Sequence, residues 1–163
     1  MKNALRLDAK DIAEALLELT GSAIMERKFE QFATAFQLPQ RVVTIGDIID
    51  IDTPEALRRA FESQCDHYRA IGVTRLCRFV AEAEYTSPTT IISTHVAQLF
   101  RDDTPLQDAY PVYSQIGNVD GTWRILSSEY AIEPSSGQAA ALALAKSQLD
   151  DRCSLQTDPY TTH

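Results

Sequence analysis

The chain has 163 residues, 44% of them hydrophobic and 23% charged, an ordinary globular composition at about the size of one domain. Its formal net charge of −8, with 15 scattered Lys and Arg against 23 Asp and Glu, argues against nucleic-acid binding and against adhesion to anionic membrane surfaces. No apolar run approaches the roughly 20 residues of a membrane span. The start, Met1 to Asp8, has neither a continuous apolar core nor a small-residue cleavage site, so a cytoplasmic location is expected.

Asp8 can cap a first helix in which Ile12, Leu16 and Leu19 share a face, with Gly21 as its stop. Ser22 then opens a second helix whose stripe Met25, Phe29, Phe32, Phe36 is predicted to be buried, with Pro39 ending it. Two short β segments follow, Val42–Ile45 and Ile48–Ile51, separated by Gly46-Asp47. Thr53-Pro54-Glu55 reads as N-cap, helical proline and first-turn acid. The helix it starts carries Leu57, Phe61, Gln64/Cys65 and Tyr68 on one side and is capped by Gly72.

Beyond Gly72 the period becomes two. A strand from Val73 to Tyr85 turns at Thr86-Ser87-Pro88-Thr89 and returns from Thr90 to Arg101. The polar loop Asp102–Asp108 leads into Tyr110–Asn118, and Asp120-Gly121 marks a tight hairpin to a last strand, Thr122–Ile132. Pro134-Ser135-Ser136-Gly137 reads as a linker. The expected division is one domain over residues 1–134 and a C-terminal tail over 135–163, with a short helix to Leu149 and a frayed end. Helices followed by an antiparallel meander imply an α+β domain with the helices on one sheet face.

Two passages carry a family resemblance. One runs from Val43-Thr44-Ile45-Gly46-Asp47 through Thr53-Pro54-Glu55-Ala56-Leu57. The other is the final hairpin, Asn118-Val119-Asp120-Gly121-Thr122-Trp123-Arg124-Ile125. Over residues 8–133 the order of elements resembles the nuclear transport factor 2-like superfamily, including its polyketide-cyclase-like (SnoaL-like) branch. The resemblance implies a cone-shaped, strongly curved mixed or antiparallel sheet packed on N-terminal helices, a cystatin-like arrangement around an apolar ligand pocket. It also implies a homodimer formed through the outer sheet face. Steroid-isomerase-like relatives rely on an acid just after the second helix, where this chain reads Gln37-Leu38-Pro39-Gln40-Arg41. Dehydratase-like relatives use paired histidines, and here His67 and His95 are the only internal ones.

A two-residue Asp120-Gly121 turn sets Trp123 opposite Asn118, Ile125 opposite Ile116, Ser127 opposite Ser114 and Glu129 opposite Val112. One face then carries Tyr110, Val112, Ser114, Ile116, Trp123 and Ile125 towards the helices. The other carries Tyr113, Gln115, Arg124, Leu126, Ser128 and Tyr130, a mixed surface suited to a partner subunit. On the preceding pair, Cys77, Phe79, Ala81 and Ala83 are expected inside with Ile92, Thr94, Val96, Gln98 and Phe100. Arg78, Glu82 and Glu84 are expected outside with Ser93, His95 and Arg101, although a slip in the Ser87-Pro88 turn would alter the pairing.

Chemistry has few candidates. His95 is either a proton carrier or a histidine hydrogen-bonded at a dimer face. Glu129, inward by alternation, is either a carboxyl group with a raised pKa acting as acid or base, or a sheet-end residue reaching solvent. Phe29, Phe32, Phe79, Gln98, Tyr110, Ser114, Trp123 and Ser127 are the expected pocket residues, an apolar lining with polar anchors. Asp47 and Asp50 more naturally shape their turn. Cys65, Cys77 and Cys153 lack metal-type spacing, and Cys65-Asp66-His67 would diverge on a helix, so reduced structural cysteines are expected. No glycine-rich phosphate loop, nucleophile elbow or zinc signature occurs, and neither metal nor cofactor is expected. Two functions stand: a domain that binds a small apolar molecule without chemistry, and a cofactor-independent lyase, isomerase or cyclase acting on a small apolar carbonyl compound. Enzyme status stays open.

Overall fold

The structure, a computed structural model, describes residues 6–44 and 47–131. The expectations for the tail 135–163, for Ile132 and for Gly46 fall outside the described residues. Asp8 holds extended backbone and its carboxylate accepts the Lys10 N–H at 2.8 Å, opening α1 (Ala9–Glu26). Gly21 does not stop this helix. It lies within α1, where an added Cβ would come 2.9 Å from Nη2 of Arg78. The glycine admits a close neighbour at about 1 kcal/mol of helix propensity. The stop is Arg27, in the left-handed region at φ 56°, where the Lys28 N–H reaches the Ala23 carbonyl.

The predicted second helix is correspondingly short. Met25 belongs to α1 and is exposed, α2 spans only Phe29–Ala33, and Phe36 already begins strand β1 (Phe36–Thr44). The apolar stripe nevertheless packs together. Phe29 and Phe32 sit 5.5 and 4.7 Å from the Phe61 ring, and Phe32 sits 4.6 Å from Phe36. Pro39 lies inside β1, in the stretch between Phe36 and Arg41 where pairing with the neighbouring strand is interrupted. A residue without an N–H is tolerated there. Strand β2 (Asp47–Ile51) returns antiparallel, with Val42 opposite Ile49.

Helix α3 (Pro54–Ile71) has the predicted ends. The Thr53 hydroxyl accepts the Ala56 N–H at 3.1 Å, and Gly72 closes it at φ 81°. Its stripe Leu57, Phe61, Cys65, Tyr68 is buried. Strands β3 (Arg75–Ser87), β4 (Thr90–Arg101), β5 (Thr104–Pro105), β6 (Tyr110–Val119) and β7 (Thr122–Tyr130) complete a curved seven-stranded sheet. Its order is β2-β1-β7-β6-β4-β3, with β5 on β4, and β1 runs parallel to β7 while the other pairs are antiparallel. The architecture is thus α+β, with N-terminal helices packed on one face of a mixed sheet. Among the described residues no helix is long and apolar enough to cross a membrane.

Asp120 and Gly121 form the tight turn with positive φ at both, 53° and 87°, and Asn118 faces Trp123 as the hairpin predicts. Trp123 turns towards the helices, packing on the cluster that includes Ile12 and Leu16 and meeting Tyr85 edge-on at 5.9 Å. Beyond Ile116–Ile125 the predicted register fails. Leu126 is an extra residue, and Gln115 pairs with Ser127, Ser114 with Ser128, Tyr113 with Glu129 and Val112 with Tyr130. Ser128 and Tyr130 therefore face the helices, while Ser127 and Glu129 face away.

The β3–β4 pair departs further. Its inner residues on β4 are Ile91, Ser93, His95, Ala97 and Leu99, the reverse of the expected set. On β3, Arg78 and Val80 face inward, Ala81 is an extra residue, and Ala83 and Tyr85 continue the inner face. Glu82 and Glu84 lie outside as expected, but so do Cys77 and Phe79. Hydrophobicity misleads here: Ile92, Val96 and Phe100 on the outer side are more apolar than Ser93, His95 and Ala97 within.

Gly72 has left-handed backbone, and a Cβ there would lie 3.1 Å from Cδ of Arg101. Gly72→Ala is expected to cost about 1–2 kcal/mol in urea unfolding, with little change in the denaturant slope. A variant as stable as the parent would contradict this cap.

Candidate functional site

Between the helices and the inner sheet face lies a cavity of about 100 Å³. Leu16, Ile24, Phe32, Leu57 and Phe61 close it from the helical side. The sheet contributes cross-strand rows that the register defines: Arg78–Ala97–Tyr110, then Val80–His95–Val112–Tyr130, then Ser93–Ser114–Ser128–Val42. The wall is mainly aliphatic and aromatic, with most of its polar groups on β3, β4, β6, β7 and α3, and Thr20 from α1 and Gln40 from β1.

Arg78 reaches from the edge strand to α1. Its Nη2 donates to the Leu17 carbonyl at 2.8 Å and to Thr20 Oγ1 at 2.9 Å. Burial lowers its pKa, while Tyr68, Tyr130 and Tyr110 act in the opposite direction. Burial raises all three tyrosines: Tyr68 to about 12, Tyr130 upward, and Tyr110 well above the ordinary range. All three are thus neutral phenols near pH 7. Gln64 Nε2 donates to the Tyr68 hydroxyl at 2.9 Å. His95 is 7% exposed, and burial, with the Arg78 charge adding to it, brings its pKa down from 6.5 to about 3. Among the described residues, the side chains of His95, Tyr110 and Tyr130 make no hydrogen bond. Gln40 anchors the far wall, donating Nε2 to Gln37 O at 2.7 Å and Ile125 O at 2.6 Å. None of the described lining residues is Asp or Glu.

The expected site residues are divided by this geometry. Phe32, Tyr110 and Ser114 line the cavity, and His95, expected outside, lines it as well. Trp123 is on the inner face but packs at the Tyr85 end. Phe29 packs on Phe61, with the Arg58 guanidinium 4.3 Å from its ring. Phe79 is 53% exposed on the outer face. Gln98 faces outward too and donates to the Gln107 carbonyl. Ser127 and Glu129 border a groove on the outer sheet face with Arg41 and Glu82. Arg78, Tyr68, Tyr130 and Ser128 are lining residues that sequence reasoning missed. The bulges at Ala81 and Leu126 carry Arg78, Ser128 and Tyr130 there; Tyr68 was recognisable as a core residue of α3 but not as part of a site.

The remaining candidates do not converge on the cavity. Asp50 pairs with Arg41 at 2.9 Å on the surface, and Asp47 accepts the Ile48 N–H at 2.8 Å. Cys65 is buried and its thiol is pushed up to about 11, whereas neighbouring Asp66 points out to Arg27 at 2.7 Å. His67, also buried, is lowered to about 4 by burial.

No protein-family model and no curated protein matches this sequence, but solved structures do. An NTF-2-like protein of unknown function from Shewanella oneidensis superposes with a TM-score of 0.61 at 12% identity, covering 75% of this chain and 98% of that one. A Nostoc punctiforme protein of unknown function with a cystatin-like fold gives 0.61 at 16% identity, over 80% and 97%. A ketosteroid isomerase-like protein from Erwinia carotovora gives 0.57 at 12% identity, over 78% and 98%. The chain has the nuclear transport factor 2-like fold.

Within that fold the two buried histidines make a measurable pH dependence. Below about pH 6.5 the unfolded chain takes up protons that the folded protein refuses until about pH 4 at His67 and about pH 3 at His95. These groups leave stability unaffected above pH 6.5 and lower it as pH falls through that window, each by up to about 1.4 kcal/mol per pH unit. Urea unfolding of His95→Asn between pH 6 and 5 should therefore show a slope shallower by about one proton. An unchanged slope would place His95 in water.

Proposed function

We propose that this protein binds a small, largely apolar molecule in the cavity between α1–α3 and the sheet. The observation that carries this reading is the cavity itself: about 100 Å³ of space walled by Leu16, Phe32, Leu57, Phe61 and Val112, bordered by His95, Tyr110 and Tyr130. Those three side chains lack hydrogen-bond partners among the described residues. Apolar walls with a few polar groups are the usual composition of a ligand site. A ligand that hydrogen-bonds these groups gains affinity over one that does not. The volume sets a size: it is below the roughly 150 Å³ that accommodates benzene in an engineered apolar cavity.

Binding is favoured over proton-transfer chemistry of the isomerase type. Glu129 is on the outer face, no described lining residue is a carboxylate, and a histidine held at about 3 is a poor base at neutral pH. Ligand-observed NMR with a panel of compounds having no more heavy atoms than benzene (2-propanol, butan-1-ol, butanone, butanoate and butanamide) tests the proposal. Saturable binding is expected, weakened at least tenfold by Ser114→Leu, which fills the floor. Absence of binding across the panel would overturn it.

A second copy of the chain is the partner proposed for the outer sheet face. Phe79, Ile92 and Tyr113 stand there at 53%, 45% and 45% exposure, an apolar and aromatic surface of the kind found at subunit contacts. Free Cys65 and Cys77 suit the reducing cytoplasm proposed as its setting. Sedimentation analysis is expected to show a dimer that Ile92→Asp/Tyr113→Asp converts to monomer with unchanged circular dichroism. A monomeric parent protein would exclude this arrangement.

A further inference from the structure

Among the described residues Arg78 has no acidic counterpart. The ion pairs among the described residues are Arg27–Asp66, Lys28–Glu26, Arg41–Asp50, Arg58–Glu30 and Arg58–Glu62, none of which includes it. Glu14 and Glu18 share with Arg78 a groove beside α1, but neither comes within 4.0 Å of its nitrogens. Arg78 is half-buried, and withdrawing a guanidinium even partly from water is unfavourable, a cost that arginine does not escape by losing its proton. Two hydrogen bonds from Nη2 to α1 offset part of this. Among the described residues Nη1 and Nε carry none.

The surroundings of that fork are arranged for a planar anion. Nη2 is fixed by Leu17 O, Thr20 Oγ1 and the close approach that Gly21 permits, so the guanidinium is held before any ligand arrives. Across the sheet its row continues to Ala97 and Tyr110. Ala97, 2% exposed, is the small residue between two long ones, and its methyl leaves the space between Arg78 and Tyr110 unfilled by β4. Tyr68 and Tyr130 border the same end and can donate O–H groups.

We propose that the ligand of this cavity carries a single carboxylate, seated on the Arg78 fork above Ala97 and hydrogen-bonded by the Tyr110 hydroxyl, with its apolar body directed towards Phe32, Leu57 and Phe61. This deepens the binding function proposed above and rests on it. Charge balance selects a monoanion: one guanidinium faces the cavity, no described lining residue is a lysine, and His95 beside it is neutral at pH 7, so a phosphate dianion would keep an uncompensated charge. The free edge of an arginine matches a carboxylate through two parallel hydrogen bonds.

Calorimetry or ligand-observed NMR on the full chain at pH 7, with acetate, propanoate and butanoate each compared with its amide, tests the inference. At least one acid is expected to bind ten times or more tightly than its amide. Arg78→Gln should abolish that preference while amide binding persists, Arg78→Lys should retain part of it, and Ala97→Val should weaken the acids selectively. Equal binding of acids and amides, or a preference surviving in Arg78→Gln, would overturn the carboxylate site and leave the binding function standing. Failure of every acid and amide to bind would overturn both. Should Arg78→Gln not fold, the comparison of acids with amides in the unaltered protein decides.

Discussion

One extra residue in each of two strands governs which side chains this fold presents to its interior. Leu126 in β7 interrupts an otherwise regular hairpin, and from Ser127 onward every side chain is on the face opposite to the one strict alternation predicts. Ala81 does the same in β3. The Leu126 bulge is accommodated because Gly117 on the neighbouring strand has no side chain: a Cβ there would come 2.8 Å from Cδ1 of Leu126. Without these shifts the carboxylate of Glu129 would enter the apolar interior, at a heavy desolvation cost, and the Tyr130 and Ser128 hydroxyls would leave it.

The interior that results is polar along one side and apolar along the other. The apolar side comes from the helices, where Leu57, Phe61 and Tyr68 follow the α3 stripe and Phe32 and Phe36 join them from α2 and β1. The polar side comes from the middle and edge of the sheet. There the Arg78 charge, the neutral His95 ring and the phenols of Tyr110 and Tyr130 lie together; the Arg78 charge acts to lower His95 and both tyrosines, and the tyrosines act to raise Arg78. Arg78 also links the sheet edge to α1 through the Leu17 carbonyl, which makes it structural as well as a feature of the cavity. A likeness to solved structures at 12–16% identity shows a shared fold, so function must be argued from these side chains.

Most of the fold was legible from local signals. Thr53-Pro54 and Gly72 marked both ends of α3, Asp120-Gly121 marked the hairpin, and the approach of Trp123 to the helices followed from counting outward from that turn. The candidate site was much less legible. Tyr110, Ser114 and Phe32 were accessible to pattern reading, since they precede the irregularities or sit on an apolar stripe. His95 and Arg78 were not, because β4 alternates two sets of nearly equal polarity and the more hydrophobic set faces out. Gly21 read as a terminator because a mid-helix glycine has no local explanation. Its reason is a guanidinium from a strand far along the chain.

By itself the sequence determined the class and order of elements, both caps of α3, the tight turn and the lack of a carboxylate in Gln37–Arg41. These depend on neighbours a few residues apart, where backbone preference and hydrophobic period act directly. Only the tertiary structure decided the faces of β3, β4 and the end of β7, the length of α1 and the gathering of Arg78, His95 and the tyrosines. A bulge costs little locally and is selected by how the whole sheet must curve over the helices. The single residue it adds, which composition cannot reveal, exchanges the interior and the surface of everything that follows it.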